Sequence, residues 1–290
     1  MNRVFVLGNA GVDLTLALPH LARPGETAVA TSGHRAPGGK GLNQAVVAAR
    51  AGAHVNFCAP VGNDADGRLV AAALDCEPLA ERLLLPKPCS TDQSIVMVAE
   101  DGENSIVSLC GCADTLTEEE AERFASAVDV QDWLLLQGNL TAAATLAAIR
   151  AARGRVVLNT APFRWPAGPL LPYCTILVAN RVEAETMSGT SDPAAAAMRL
   201  HAQGCAVALV TLGAEGCLWA DAAGLSRRPA VAVRPVDTSG AGDTFCGVLV
   251  ARLAEGAALA DVIPAAQAAA ALSVTRRGAF ESIPEAGELR

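Results

Sequence analysis

Residues 236–247 read Val-Asp-Thr-Ser-Gly-Ala-Gly-Asp-Thr-Phe-Cys-Gly. A small, flexible run, Ser239-Gly240-Ala241-Gly242, leads into Asp243. An apolar stripe follows at helical spacing in Phe245, Val248, Leu249 and Leu253. The pattern is a glycine turn that opens a helix. The first N–H groups of such a helix lack partners within it, and with the helix dipole they attract anions. An aspartate there would repel a resting phosphate. It suits a base that takes a proton from a hydroxyl attacking phosphorus; the alternative is an ordinary first-turn acid that caps the helix. Two known phosphate patterns do not fit. Gly38-Gly39-Lys40 is followed by Gly41, so no P-loop is present, and Gly240-x-Gly242 is followed by Phe245 where a dinucleotide turn needs glycine.

Outward from this stretch, short apolar runs alternate with alanine-rich helical segments. Strands are expected at 3–8, 54–60, 132–137, 155–160, 174–179 and 206–212. Runs such as Trp133-Leu134-Leu135-Leu136 suit strands buried on both faces of a parallel sheet. One helix is expected from about Leu42 to Ala51, ending at Gly52. Another starts at Thr117-Glu118-Glu119-Glu120, which has capping-box spacing, and a last one covers roughly 259–275 and should be buried. This order predicts a doubly wound α/β fold. Two segments break the rhythm. Residues 14–37 alternate Leu14, Leu16 and Leu18, and residues 91–109 read as a hairpin around Asp101-Gly102. They point to a small antiparallel sheet outside the main layer: a lid, a dimer contact or an inert excrescence.

Length and composition set limits. A chain of 290 residues, half of them hydrophobic, holds one large α/β domain or two small ones. The net charge of −8 argues against nonspecific binding of nucleic acid or an anionic membrane. The N-terminal run Val4-Phe5-Val6-Leu7 is a first strand, too short for a signal peptide or a membrane span. Nine scattered cysteines read as reduced residues of a cytoplasmic protein, and Cys110-x-Cys112 lacks the second pair that zinc needs.

Ligands of open parallel sheets bind beyond the carboxyl ends of the strands. Polar punctuation falls there: Asn9, Gly11 and Asp13; Gln137 and Asn139; Asn159 and Thr160; Asn180 and Glu183; Thr211 and Gly213. A second glycine turn, Gly38-Gly39-Lys40-Gly41-Leu42-Asn43-Gln44, also enters a helix. Its glycines allow close approach of a ligand, Lys40 could meet a phosphate, and Asn43 can serve a sugar hydroxyl.

With both glycine stretches in this order, the chain resembles, nearly end to end, the ribokinase family of carbohydrate and nucleoside kinases. The matching segments include 38–44, Ala49-Arg50-Ala51-Gly52-Ala53, Val61-Gly62-Asn63-Asp64 and 237–243. Pro24-Gly25-Glu26-Thr27, Asn180-x-x-Glu183, Thr211-Leu212-Gly213 and Thr275-Arg276-Arg277-Gly278-Ala279 match its ribokinase branch. The resemblance implies a single ribokinase-like domain over 1–290, with a β lid at about 14–37 and 91–109 that pairs subunits in a homodimer. It implies an ATP-dependent kinase acting on a hydroxyl, expected to be primary, of a pentose-like or related sugar.

It also implies roles. Asp243 would be the base, and Gly240, Ala241 and Gly242 the anion hole. Asp13, Gly11, Gly38, Gly39, Lys40, Asn43 and Asn139 would face the sugar side. Asn180, Glu183, Thr211, Gly213, Gly216 and Gly242 would serve the nucleotide, with Glu183 organising Mg²⁺ through water. Asp237, Ser239, Ser273, Arg276, Gly278 and Ser282 match a region for a potassium-like cation. Two positions depart from the ribokinase pattern: Gly11 stands where an asparagine is usual, and Asn139 where a glutamate is. Both departures should change which hydroxyls are recognised, so ribose is not expected to be the best substrate. A nucleoside kinase of the same fold and a non-catalytic sugar sensor are the alternatives. An NAD-linked oxidoreductase is more distant, because Gly8-Asn9-Ala10-Gly11 lacks the fingerprint.

Overall fold

The computed structural model describes residues 2–100 and 104–289. In chain order the strands are β1 (Arg3–Leu7), β2 (Gly11–Leu18), β3 (Ser32–Gly38), β4 (His54–Gly62), β5 (Glu81–Lys87), β6 (Asp92–Ala99), β7 (Asn104–Leu109), β8 (Trp133–Gln137), β9 (Arg155–Asn159), β10 (Ile176–Asn180), β11 (Val207–Thr211), β12 (Cys217–Asp221) and β13 (Gly224–Arg228). The helices are α1 (Lys40–Arg50), α2 (Ala65–Leu74), α3 (Glu118–Ala125), α4 (Ala142–Ala151), α5 (Arg181–Ser188), α6 (Pro193–Ala202), α7 (Ala241–Ala254) and α8 (Leu259–Ser273).

Nine strands form the main sheet in the order β13-β12-β11-β10-β9-β8-β1-β4-β5. From β11 to β5 all neighbours run parallel, while β12 and β13 add antiparallel at one edge. The apolar runs of the sequence are explained by two cores. Val4, Val6, Trp133 and Leu135 pack into one, and Phe5, Leu7, Leu134 and Leu136 into the other. Alternate residues of each strand thus bury opposite faces, as a sheet covered on both sides demands. The chain leaves β1 toward β4 and β5, then returns to build β8 through β11 on the other side. The strand order therefore reverses beside β1, the position at which such sheets open a crevice.

The six strands expected from sequence all form, and α3 begins at Thr117 with both capping-box bonds present. Helix α1 starts at Lys40, two residues earlier than the apolar pattern marks, because the glycine turn itself winds into it. Helix α8 differs from expectation. One face, with Val262, Ile263, Ala266 and Ala269, is buried, but Ala268 is exposed and several neighbours are half-buried. Alanine is tolerated on either face of a helix, so its abundance overstates burial.

The second sheet holds four strands in the order β3-β2-β6-β7. The β2/β3 and β6/β7 pairs are antiparallel, and β2 runs parallel to β6 along the seam between them. It starts at Gly11, earlier than the alternation of leucines indicates. The Asp101-Gly102 turn falls outside the described residues. Among the described residues no helix is long and apolar enough to cross a membrane.

Candidate active site

Helix α7 begins with Gly240 in the left-handed region (φ 74°), where glycine costs least. A Cβ there would also lie 2.9 Å from the Ala279 carbonyl oxygen. The first bond within the helix runs from the Thr244 N–H to the Gly240 carbonyl (2.8 Å). Among the described residues, the N–H groups of Gly242 and Asp243 have no acceptor, and no side chain caps the helix. Gly242 is exposed and has nothing within 4 Å of an added Cβ. Its φ is ordinary, so the strain of this turn sits at Gly240 and not at Gly242.

Asp243 is buried, and its carboxylate turns away from its own helix toward α1. Its Oδ1 accepts a bond from the Gln44 amide (2.9 Å), and its Oδ2 accepts one from Asn43 (3.3 Å). Lys40 Nζ lies 4.0 Å from Oδ1. The Asp243 carboxylate pushes the Lys40 ammonium above its ordinary range, against the opposing effect of burial. Close packing of the two helices makes this possible. A Cβ on Gly247, one turn beyond Asp243, would strike Val47 at 2.5 Å and the Gln44 carbonyl at 2.8 Å. Glycine at 247 therefore lets α1 bring Asn43 and Gln44 within reach.

The other glycine turn rests on the end of β1. Gly39 has a φ of 98°, and a Cβ on Gly41 would meet Asn9 backbone atoms at 2.7 Å. The Leu42 N–H donates to the Asn9 carbonyl (3.0 Å). On the smaller sheet, a Cβ at Gly38 would strike the Asp13 carboxylate, so this glycine makes room for Asp13. Burial pushes the Asp13 carboxyl up to about 6; a hydrogen bond from Ser94 opposes this, and the nearby charges of Asp243 and Glu281 add to it.

Gln44 is the residue that sequence reasoning missed. It is fully buried beside Asn43 on α1, and the available signal was an amide placed directly before the apolar run Ala45-Val46-Val47-Ala48-Ala49. It donates to Asp243 and to Asn159 Oδ1 (3.3 Å), and accepts from Gln137 Nε2 (2.9 Å). It thereby links the ends of β8 and β9 to Asp243.

Glu183 is buried at the start of α5. The Asn180 side chain caps its N–H (2.9 Å), while Glu183 Oε2 accepts from the Asn180 N–H (3.0 Å) and the Thr160 hydroxyl (2.9 Å). One carboxylate oxygen is thus fixed. The other is free to face water around a hard cation, so the residue fits a role toward Mg²⁺. Thr211 and the exposed Gly213 (φ 59°) stand at the end of β11. Gly216 has a more structural reason: its φ is 96°, and a Cβ would lie 2.1 Å from the Arg228 carbonyl.

Around Asp237 the structure brings most of the expected cation residues together. Its carboxylate accepts from the Ser239 and Gly278 N–H groups, both at 2.9 Å, and its own N–H reaches the Val274 carbonyl next to Ser273 (3.2 Å). Ser282 is buried and donates to the Ala279 carbonyl (3.1 Å). The Arg276 side chain departs from the group to pair with Glu288 (2.6 Å). One carboxylate with hydroxyls and carbonyls fits a monovalent ion. Among the described residues no cluster of three or more His, Cys, Asp or Glu could hold a metal.

The two positions that depart from the ribokinase pattern behave differently. Asn139 is buried, and its Oδ1 has no partner among the described residues. At Gly11 a Cβ would lie 2.3 Å from the Asp92 carbonyl, so the β2–β6 seam itself requires glycine.

A family model for pfkB family carbohydrate kinases matches residues 1–286. Haemophilus influenzae ribokinase is 35% identical over 289 residues, covering 96% of this chain and 94% of that protein. A solved ribokinase from Thermotoga maritima superposes with a TM-score of 0.90 at 29% identity, covering 100% of this chain and 98% of that one. The structure of Arabidopsis thaliana ribokinase complexed with ribose and ATP gives 0.86 at 26% identity, covering 100% and 98%. Fold and relatives together define an ATP-dependent carbohydrate kinase. The chain belongs to the pfkB family of carbohydrate kinases.

Proposed function

We propose that the chain transfers the γ-phosphate of ATP to the primary hydroxyl of a pentose-like or related sugar, with Asp243 as the base. One observation carries this reading. A buried carboxylate stands at a helix N-terminus with free N–H groups, yet it caps nothing and is aimed by two amides. Asp13, Asn43 and the backbone at Gly39 would hold the sugar. Asp243 takes the proton as the sugar oxygen bonds to phosphorus, the bond from phosphorus to the bridging oxygen breaks, and ADP leaves. The turn at 240–243, with its free N–H groups at Gly242 and Asp243, receives the developing charge, and Lys40 is placed to meet the phosphate. Mg²⁺ would neutralise phosphate charge, with Glu183 holding its water shell; Asp237 and its neighbours would hold K⁺.

The smaller sheet is proposed as a lid within a single domain. Asp13 sits on it, and His34 of β3 reaches Glu281 across the cleft (2.5 Å). The exposed Ile106, Val107 and Leu109 on the edge strand β7 favour a homodimer through this sheet. Scattered thiols fit a cytoplasmic location.

The test is ADP release against ribose, deoxyribose, fructose, ketopentoses and nucleosides, followed by Asp243→Asn on the best acceptor. A positioned base contributes ~10²–10⁴-fold, so kcat should fall by that factor with the ATP KM little changed. Near-normal turnover by Asp243→Asn would remove the assignment.

A further inference from the structure

Outside the cleft, the structure brings two thiols together. Cys89 Sγ and Cys112 Sγ lie 2.7 Å apart, although the residues are 23 positions apart in sequence. Cys89 lies between β5 and β6, and Cys112 follows β7 by three residues. The pair therefore closes the neck where the β6–β7 half of the smaller sheet joins the body. The backbone of that neck is already fastened. The Asp92 carboxylate accepts the Cys112 and Ala113 N–H groups (2.8 and 3.2 Å), and Thr91 is bonded through its N–H and hydroxyl to Asp64 (2.8 and 2.7 Å). Cys89 is half-buried and reachable, whereas Cys112 is fully buried. Burial and the adjacent Cys89 sulfur push the Cys112 thiol well up, and the greater exposure of Cys89 makes it the thiol that meets an oxidant first.

We propose that Cys89 and Cys112 are a redox site, which hydroperoxides convert to a reversible disulfide that tethers the neck of the smaller sheet. The Cys89 thiolate attacks one peroxide oxygen, the O–O bond breaks, and sulfenic acid and water form. The Cys112 sulfur then displaces the sulfenic oxygen, which leaves as a second water with the Cys112 proton. Two thiols and one peroxide give one disulfide and two waters, so the thiols lose the two electrons the peroxide gains. A disulfide bond is about 2.05 Å long with carbon partners on fixed vectors, and the fastened backbone on both sides holds the two sulfurs in register for it.

The experiment treats the reduced full-length protein with hydrogen peroxide, blocks remaining thiols under denaturing conditions and maps peptides without reductant. The expected result is loss of two of the nine free thiols and one peptide pair joined through Cys89 and Cys112, reversed by dithiothreitol. Cys110→Ser should keep the link and Cys89→Ser should abolish it. Nine blockable thiols after peroxide, a link through Cys110, or a sulfenic acid on Cys89 that persists unresolved would each overturn the site. The tethering claim is read separately, as slower hydrogen exchange over 104–109 in the oxidised protein that Cys89→Ser does not show. Equal exchange in both redox states would overturn it. Neither readout depends on the kinase reaction, so its failure and that of the proposed function are distinguishable.

Discussion

Asp13 is held at a cost to the fold, and removing its charge should show the size of that cost. Burial is the largest influence on its carboxyl, which rises from the ordinary 3.8 to about 6. A folded-state pKa above the unfolded one means that the folded protein binds the proton more tightly. Between those two values it carries more protons than the unfolded chain, so stability falls as pH rises through the window and stays lowered above about 6. A shift of about 2 units corresponds to ~3 kcal/mol at about 1.36 kcal/mol per unit. The side chain is half-buried rather than sealed, so screening trims this to about 1–3 kcal/mol. Asp13→Asn keeps the size and an acceptor for Ser94 and removes the charge. It should therefore be more stable than the wild type at pH 8 by about 1–3 kcal/mol. With an unfolding entropy of about 2.1 cal/mol/K per residue, that is roughly 2–5 °C in Tm. Thermal and urea melts at pH 8 and pH 4.5 would read it, and the advantage should shrink at the lower pH. The same variant should lose sugar affinity, and the wild-type kcat/KM for sugar should decline below about pH 6 as Asp13 takes up its proton. A variant no more stable at pH 8, or one whose advantage grows on acidification, would refute the reasoning.

Four further substitutions separate chemistry from architecture. Gly242→Ala should leave the fold intact or more stable by about 0.4–1 kcal/mol, since its surroundings are open, yet lower kcat by crowding the phosphoryl group; unchanged turnover would remove Gly242 from the anion hole. Gly240→Ala should instead cost about 1–2 kcal/mol of stability in a melt, because its φ of 74° is left-handed. Gln44→Met should cost about 1–3 kcal/mol, by leaving buried polar partners unmatched, and lower kcat more than the ATP KM, because it frees the Asp243 carboxylate from its best donor; equal kcat would show that Asn43 alone positions Asp243. Asn139→Glu should move the ranking of acceptors toward ribose in kcat/KM, and an unaltered ranking would show that residue 139 does not select the sugar.

Most of the main sheet could be read from the chain because both its faces are covered. Wherever neighbours flank a strand on both sides, alternate residues enter different cores and the whole run turns apolar, as in Trp133-Leu134-Leu135-Leu136. The edges escaped for the converse reason. Strand β5, Glu81-Arg82-Leu83-Leu84-Leu85-Pro86-Lys87, is half-exposed and carries charges at both ends and a proline, features that let an edge strand pass for a loop. Strand β13, with Ser226-Arg227-Arg228, is more exposed still. The helix start at Thr117 could be read to the residue, because a capping box is a set of bonds between near neighbours in sequence.

The site divides along the same line between local and distant causes. The two glycine turns were legible because their requirements are met within a few residues: a left-handed φ at Gly39 and Gly240, and a helix start directly after. What those turns are for depends on pairings across about two-thirds of the chain. Gln44 and Asp243 are 199 positions apart, and no local pattern couples them. Gly11 shows the hazard of reading a distant cause from a local difference. Its missing side chain looked like a lost sugar contact, but a Cβ there would run into the Asp92 backbone across the β2–β6 seam. The glycine is thus explained by strand packing before any sugar is considered. Asn139, buried with an unpartnered oxygen, has no such packing explanation. A buried acceptor left without a donor costs stability unless something supplies one. Of the two departures, it is therefore Asn139 whose substitution tests sugar choice, since packing already accounts for the glycine at 11.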